Sequence, residues 1–430
     1  MEFVLSSAIN ATAEVAAADL YPHIRVFDGP QQNVDSLITP AVPLNVTRNS
    51  LLYVRMNWSV ASSKTVGPGS DHCCRRRMDE AERRSQRLSL GAAASGFSAI
   101  CWLAARDFSD ILGGKVPVGA IDQSYGGTSI QQWMSESAIK SSNAPVATQC
   151  CGQACQNGGA SCLYNGQIEP YTLGPTQFTS VLWYQGEQNA NCGGPTQTAG
   201  AVYSTMLHAL VRDWRTQLQQ PALPFGSCVL APWKSTKDNS SFAQMRLAQL
   251  NLTAHVESTF DISTLDSGNP AGGAVHSKYK QAVGHRAALG MASFFADITP
   301  TKPYKPPAYS SAAASKSGAV TVTLSGLYGQ PPRLDGSVSC PPAIGAAQCA
   351  GFEVLSSSCV WHTATASLDG SALVLTPASG WSGDAVGSRY GFANWPLALV
   401  KVRHKNIRAT SEASGRALLK LFLRFPGRFF

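Results

Sequence analysis

The chain has no uninterrupted run of about 18 or more apolar residues, so no segment reads as a membrane-spanning helix. Charge is scarce: 14% of residues are charged against 44% hydrophobic, which excludes a charge-rich disordered chain. With 430 residues of that composition the protein can bury a large core, enough for one big domain and a smaller one. No internal repeat is found, which excludes a solenoid or propeller. The opening MEFVLSSAINATAEVAAADL lacks a basic stretch followed by an apolar one and is not a signal peptide as it stands.

The net charge of +8 would suit a nucleic-acid ligand only if it were spread over a binding face, and it is not. Residues 401–430 hold eight Lys or Arg against one acid, Glu412, so the remaining 400 residues are nearly neutral. No nucleic-acid partner is expected. Twelve cysteines include the adjacent pairs Cys73/Cys74 and Cys150/Cys151 and a cluster of Cys150, Cys151, Cys155 and Cys162. Disulfides and a metal site both fit such a cluster; with no paired C-x-x-C element and no histidine nearby, disulfides are favoured. Five N-x-S/T triplets, at Asn10, Asn45, Asn57, Asn239 and Asn251, agree with an oxidising secretory route.

Along the chain, HIRVF and LLYVRM within residues 20–60 read as strands, and the polar, basic residues 64–90 as a surface insertion. Residues 99–112 place apolar side chains at helical spacing. The runs VPVGAID (116–122) and TSVLWYQG (179–186) end in glycine-containing turns and are separated by helical segments, which suits a parallel sheet with crossover helices and function at the strands' carboxyl ends. Residues 201–218 and the segment FAQMRLAQL add helices. After Pro300 the Pro/Ser/Ala-rich stretch TKPYKPPAYSSAAASKSG reads as a linker, and AVTVTLSGL, GFEVLS and SALVLTP read as strands of a small β domain.

Four segments carry chemistry, in order: Ile121-Asp-Gln-Ser-Tyr-Gly-Gly-Thr-Ser-Ile with Trp133; Leu163-Tyr-Asn-Gly-Gln-Ile-Glu-Pro170; Trp183-Tyr-Gln-Gly-Glu-Gln-Asn189; and Val275-His-Ser-Lys-Tyr-Lys-Gln-Ala-Val-Gly284. Ester hydrolysis needs a nucleophile, a base for its proton and donors aimed at the oxyanion. His276, in a glycine-rich loop ahead of the helical KQAVGHRAAL, is the candidate base. Asp266 is the nearest upstream acid that could orient it. Gly126 and Gly127 can bring backbone N–H groups close to a substrate, and the Gln185 amide can donate to the same oxyanion. Asn165 and Gly166 are candidate lining residues, whereas Glu187 and Asn189 are read as bracing their loop.

These segments resemble S-W-G-G-T-x-I-x-x-W, L-[FY]-N-x-M-I-x-P, W-Y-Q-G-E-S-N and I-H-P-x-x-K-Q-x-V of the sialate O-acetylesterases, serine esterases of the SGNH-hydrolase type. Phe97-Ser-Ala-Ile-Cys-Trp102, Asp213-Trp-Arg215 and Arg389-Tyr-Gly-Phe-Ala-Asn-Trp-Pro396 extend the similarity to about residues 1–400. The resemblance implies an α/β fold, an SGNH-like three-layer α/β/α domain with a mostly parallel sheet over residues 1–300, a β-rich domain over 301–400 and an atypical basic tail over 401–430. It also implies hydrolysis of O-acetyl esters on sialic acid or related acetylated sugars, no cofactor or metal, and a secreted or lysosomal setting. Two departures stand out: Gly273 and Ala274 occupy the place where many SGNH enzymes carry the Asp just before the His, and Ser277 replaces the usual Pro.

In the family the nucleophile belongs to a G-Q-S-N-M segment, and the sequence after that Met resembles residues 2–30. Met1-Glu-Phe is therefore read as the tail of G-Q-S-N-M-E-F, with the first strand and the serine upstream of it. Ser124 is assigned a structural role, because the family often has Ser there and does not use it as nucleophile. After Leu399 the basic sequence departs from the family pattern and is read as unrelated to it, in preference to a membrane-surface tail. A carbohydrate-binding protein without catalysis is the alternative function.

Overall fold

Two β-branched residues at a spacing of two, Ile24 and Val26, set the first strand, β1 (Ile24–Asp28), in which both are fully buried. The computed structural model describes residues 3–29, 58–67, 96–142, 160–174, 176–192, 198–235, 240–271, 273–295, 307–315, 317–327, 331–403, 416–418 and 423–424. Beside β1 lie β2 (Ser59–Val60), antiparallel, and β3 (Val118–Asp122), parallel and in register from Ile24 opposite Val118 to Asp28 opposite Asp122. A parallel pair needs a crossover. The helix Ala99–Ile111 leads into β3, its N-terminus capped by Ser98, whose hydroxyl accepts from the Cys101 N–H. Trp102, Leu103 and Phe97 pack with Leu5, Ile24, Val26 and Val66 into one core. Arg106 on this helix bridges Glu14 and Asp107, and Asp107 also accepts from His285 Nδ1 at 2.9 Å.

The second parallel sheet is β4 (Val181–Trp183), β5 (Phe225–Val229) and β6 (Thr259–Ser263), ordered β4-β5-β6. Every residue of β5 and β6 is buried, including the polar Thr259, Asp261 and Ser263 of β6, so the sheet is covered on both faces although TFDIS does not read as an apolar run. The helices Thr198–Gln217, Ser241–His255 and Gln281–Ala292 cover the further segments read as helical in the sequence. No helix among the described residues is long and apolar enough to cross a membrane.

The rest is β-rich and mostly antiparallel. Strands β7 (Ala308–Ala314), β8 (Val320–Ser325), β9 (Pro332–Leu334), β10 (Cys349–Ala350), β11 (Phe352–Ser356), β12 (Trp361–Asp369), β13 (Ala372–Pro377), β14 (Ala385–Tyr390), β15 (Trp395–Pro396), β16 (Val400–Arg403), β17 (Arg416–Leu418) and β18 (Leu423–Arg424) follow one another. Seven of them form one sheet, in the order β18-β14-β11-β12-β13-β8-β7, while β17-β16-β9 and the parallel pair β10-β15 stand apart from it. Val320, Val322, Phe352, Val354, Leu373, Leu375 and Tyr390 supply the core. The sequence-based linker is corrected here: Ala308–Ala314 is the edge strand β7, paired antiparallel to β8. Its small Ala and Ser side chains leave one face exposed, so it shows no apolar alternation to read. Of the predicted insertion, residues 68–90 lie outside the described residues, as do the predicted strand LLYVRM and most of the basic tail.

The chain divides into two compact units. One comprises Met1–Thr179, Ala209–Pro221 and Lys278–Ala288; the other comprises Ser180–His208, Ala222–Ser277 and Leu289–Phe430.

Candidate active-site loops

The turn that follows β3 is built from the first motif. Asp122, at the carboxyl end of β3, is buried and accepts the Ser98 N–H at 2.8 Å. Next, Gln123 donates to the Tyr171 hydroxyl at 2.8 Å. Gly126 and Gly127 form the turn proper, and Gly127 has φ +70° with open space where a Cβ would be. Backbone conformation rather than crowding thus requires glycine there. The turn is anchored on its far side: the Thr128 hydroxyl donates to Tyr125 O, and Trp133 Nε1 donates to Thr128 Oγ1, both at 2.9 Å. Ser129 and Gln132 close a capping box on the short 3-10 helix Ile130–Trp133. Ser124 is half-buried within the turn.

That 3-10 helix also carries the second motif, because Ser161 N–H donates to Gln131 O at 2.9 Å and Asn165 N–H donates to Ser161 O at 2.8 Å. Asn165 and Gly166 are both buried in the π-helical turn Tyr164–Ile168. The first two motifs therefore share one hydrogen-bonded scaffold. Burial, together with a hydrogen bond to Glu169, holds the Tyr164 phenol well above its usual range, so it stays neutral.

In the other unit, Gln185 follows directly on β4 and is buried. Its Oε1 accepts the Tyr203 hydroxyl at 2.9 Å, its Nε2 donates to Asn189 Oδ1 at 2.8 Å, and its backbone carbonyl accepts from Gln249 Nε2 at 2.9 Å. The amide is fixed in one orientation: Tyr203 claims the oxygen, so the nitrogen side must face Asn189. Asn189 braces the loop as expected. Tyr203 and Gln249, which hold Gln185, were not singled out in the sequence; both sit on helices as ordinary-looking interior residues, and nothing local marks them.

Asp266 lies just past the carboxyl end of β6, exposed, with the Ser267 hydroxyl donating to its Oδ1 at 3.4 Å. His276 is ten residues further on, also exposed, ahead of the buried Ser277. The loop between them is tied down by Ser267 N–H to Thr264 O at 2.9 Å and by Gly273 N–H to Asn269 O at 2.8 Å. Beyond His276, Lys278 O accepts the Ile9 N–H at 2.9 Å, Gln281 Nε2 donates to Ile9 O, and the Lys280 ammonium lies 4.8 Å from the Phe3 ring centroid. The end of the fourth motif thus holds the segment Phe3–Ile9.

Of the cysteines, Cys340 and Cys349 form a disulfide and Cys162 is disulfide-bonded, in line with the preference for disulfides; Cys73, Cys74, Cys150, Cys151 and Cys155 lie outside the described residues.

Comparison with known proteins matches this architecture to esterases. Residues 95–292 match the family described as carbohydrate esterase, sialic acid-specific acetylesterase. The sialate O-acetylesterase of Pongo abelii is 26% identical over 307 residues, covering 67% of this chain and 50% of that protein. Those of Homo sapiens (26% over 306 residues, 67% and 50%) and Mus musculus (25% over 332 residues, 67% and 53%) are similarly related. The chain therefore spans about half the length of these relatives. Among solved structures, a carbohydrate acetylesterase from Xanthomonas citri superposes with a TM-score of 0.70 at 24% identity, over 99% of this chain and 78% of that one, and shares its fold. The likeness to the sialate O-acetylesterases that the four motifs carry is borne out, together with an α/β fold bearing a C-terminal β-rich region.

Proposed function

We propose that this chain carries the base and oxyanion loops of a serine acetylesterase that removes O-acetyl groups from sialic acid or a related acetylated sugar. One observation carries the reading: the candidate residues lie in the segments that follow parallel strands, Gly126 and Gly127 after β3, Gln185 after β4, and Asp266 with the loop to His276 after β6. Open α/β sheets place their chemistry there. The finer architecture is an SGNH-like three-layer domain over residues 1–300, a β-rich domain over 301–400 and a basic tail over 401–430.

The nucleophile is a serine in the full-length product, on the G-Q-S-N-M segment that residues 1–430 do not contain. Two features fit a preceding strand. Among the described residues β3 pairs only with β1, leaving its other edge open to a parallel partner. Phe3–Ile9, which would follow the serine directly, is held by the residues that follow His276.

In the reaction His276 takes the serine proton as the hydroxyl oxygen attacks the acetyl carbonyl, and Asp266 steadies the imidazolium that forms. The Gly126 and Gly127 N–H groups and the Gln185 amide stabilise the developing oxyanion. Collapse expels the sugar hydroxyl, protonated by His276, and leaves an acetyl-serine. Water, deprotonated by His276, then releases acetate. The disulfide, and Asn10 lying exposed within its glycosylation triplet, support a secretory-lumen location.

The test is acetate release from O-acetylated sialic acid and from acetylated xylan by the full-length product and its His276→Ala variant. The expected result is turnover on the sialic acid substrate that falls about 10²–10⁴-fold in the variant. Turnover that survives the substitution contradicts the role of His276, and binding without hydrolysis by the full-length product favours the non-catalytic reading.

A further inference from the structure

The catalytic loop Asp266–His276 is held from behind by a part of the protein far away in sequence. Gly273, three residues before His276, adopts φ +65°, and a Cβ there would come within 2.3 Å of Lys234 Cβ and 2.9 Å of Ile344 Cδ1. Lys234, in the loop after β5, donates its backbone N–H to Gly273 O at 3.0 Å and its ammonium to Ala343 O at 2.7 Å. Ile344 is buried although it sits in a turn, and the Cys340–Cys349 disulfide closes that turn at both ends. Cys349 belongs to β10, which pairs with β15 so that Cys349 lies opposite Trp395. The Trp395 indole in turn lies against Gly268, where a Cβ would approach it to 2.8 Å. Two wedges from the β-rich region, Ile344 and Trp395, therefore press on the two ends of the loop that bears Asp266 and His276, and one disulfide joins their supports.

We propose that the disulfide-closed turn Cys340–Cys349 is a positioning element for the catalytic histidine, with Ile344 as the residue through which it acts. The inference rests on His276 and Asp266 being the base and its orienting acid. The eight-residue loop between the two cysteines, PPAIGAAQ, includes one large apolar side chain, Ile344, and forms no hydrophobic core of its own. Without the covalent closure it would not hold a single apolar side chain in a fixed place against a glycine. Loosening it should leave sugar binding intact while blurring the aim of the imidazole, because displacement of a catalytic group by about an ångström lowers turnover far more than affinity. Oxidative closure of one bond would then set the competence of a site in another part of the sequence.

The test uses the full-length product and three variants: Ile344→Ala, Ile344→Val and the double variant Cys340→Ser with Cys349→Ser. Two readouts are taken, acetate-release kinetics and hydrogen exchange of the peptide spanning residues 264–277. Ile344→Ala and the double variant are expected to lower kcat about tenfold with KM changed less than about twofold, and to speed exchange in that peptide. Ile344→Val should restore most of the kcat. Unchanged exchange in 264–277 in both the Ile344→Ala and double-cysteine variants overturns the inference whatever the activity. Faster exchange in a wild-type background that shows no esterase activity leaves the positioning intact and defeats the proposed function instead. A parallel rise in KM, or exchange that quickens across the whole β-rich region, assigns Ile344 to general stability and also overturns it.

Discussion

Gln185, the proposed oxyanion donor, is held in place on both sides of its amide. Its carboxamide is buried, its oxygen accepts from Tyr203 and its nitrogen donates to Asn189, so its orientation is set before any substrate arrives. Preorganised donors cost no reorganisation in the transition state. Tyr203→Phe removes the hydroxyl that fixes the amide oxygen while keeping the ring. It is predicted to lower kcat by about tenfold and to change stability by about 1 kcal/mol, the value of one buried hydrogen bond; steady-state kinetics and thermal melts read the two effects separately. An unaltered kcat with a lowered Tm would reduce Tyr203 to a packing residue. At this scale the sequence offered His276, Gly126, Gly127 and Gln185 as candidates through residue type and motif, and was silent about Tyr203 and Gln249. Their roles come from neighbours 18 and 64 positions away from Gln185, and no local pattern encodes that.

Among the elements, helix Ala99–Ile111 is the one whose position matters most to the turn after β3. Its cap residue Ser98 also donates its backbone N–H to Asp122. The charged cluster on its outer face supports that position: Asp107 accepts from His285 and from Arg106, and these partners outweigh burial and hold its carboxyl below the usual carboxylate value. A carboxyl whose folded pKa is depressed stabilises the fold above its unfolded value of about 4, and that contribution is lost as pH falls through the folded value. Asp107→Asn is therefore predicted to cost about 1–3 kcal/mol near neutral pH. The gap to wild type should narrow as pH falls below about 4 and through the depressed folded value. Thermal melts from pH 7 to pH 2 test this, and a gap that is independent of pH would contradict it. Helix Ala99–Ile111 and the strand runs of β3 and β4 were legible because each is a local pattern, whereas β5 and β6 were not read. The edge strand β7 was not, since AYSSAAA presents no alternation and becomes a strand only through its ladder to β8.

On the scale of the whole molecule, the outline of an α/β region followed by a β-rich one could be read from the change of texture after Pro300. The sheet order β18-β14-β11-β12-β13-β8-β7 could not, because it rests on pairings between strands distant in sequence. Nor could the use made of the motif Arg389–Pro396. Its Asn394 and Ala393 carbonyls accept from Arg246, and its Asn394 side chain accepts from the Phe242 N–H, so a segment noted only for its resemblance proves to be the seat of helix Ser241–His255. The β-rich region thereby reaches the loops after β5 and β6, where the candidate base resides. The proposed reaction needs a serine outside residues 1–430 that His276 activates. Intact-mass and peptide analysis after exposure to a fluorophosphonate tests this most directly. The full-length product is predicted to gain one label, on the serine of its G-Q-S-N-M segment, at a rate that falls at least about 100-fold in His276→Ala. A label on Ser124, or labelling that ignores the loss of His276, would contradict it.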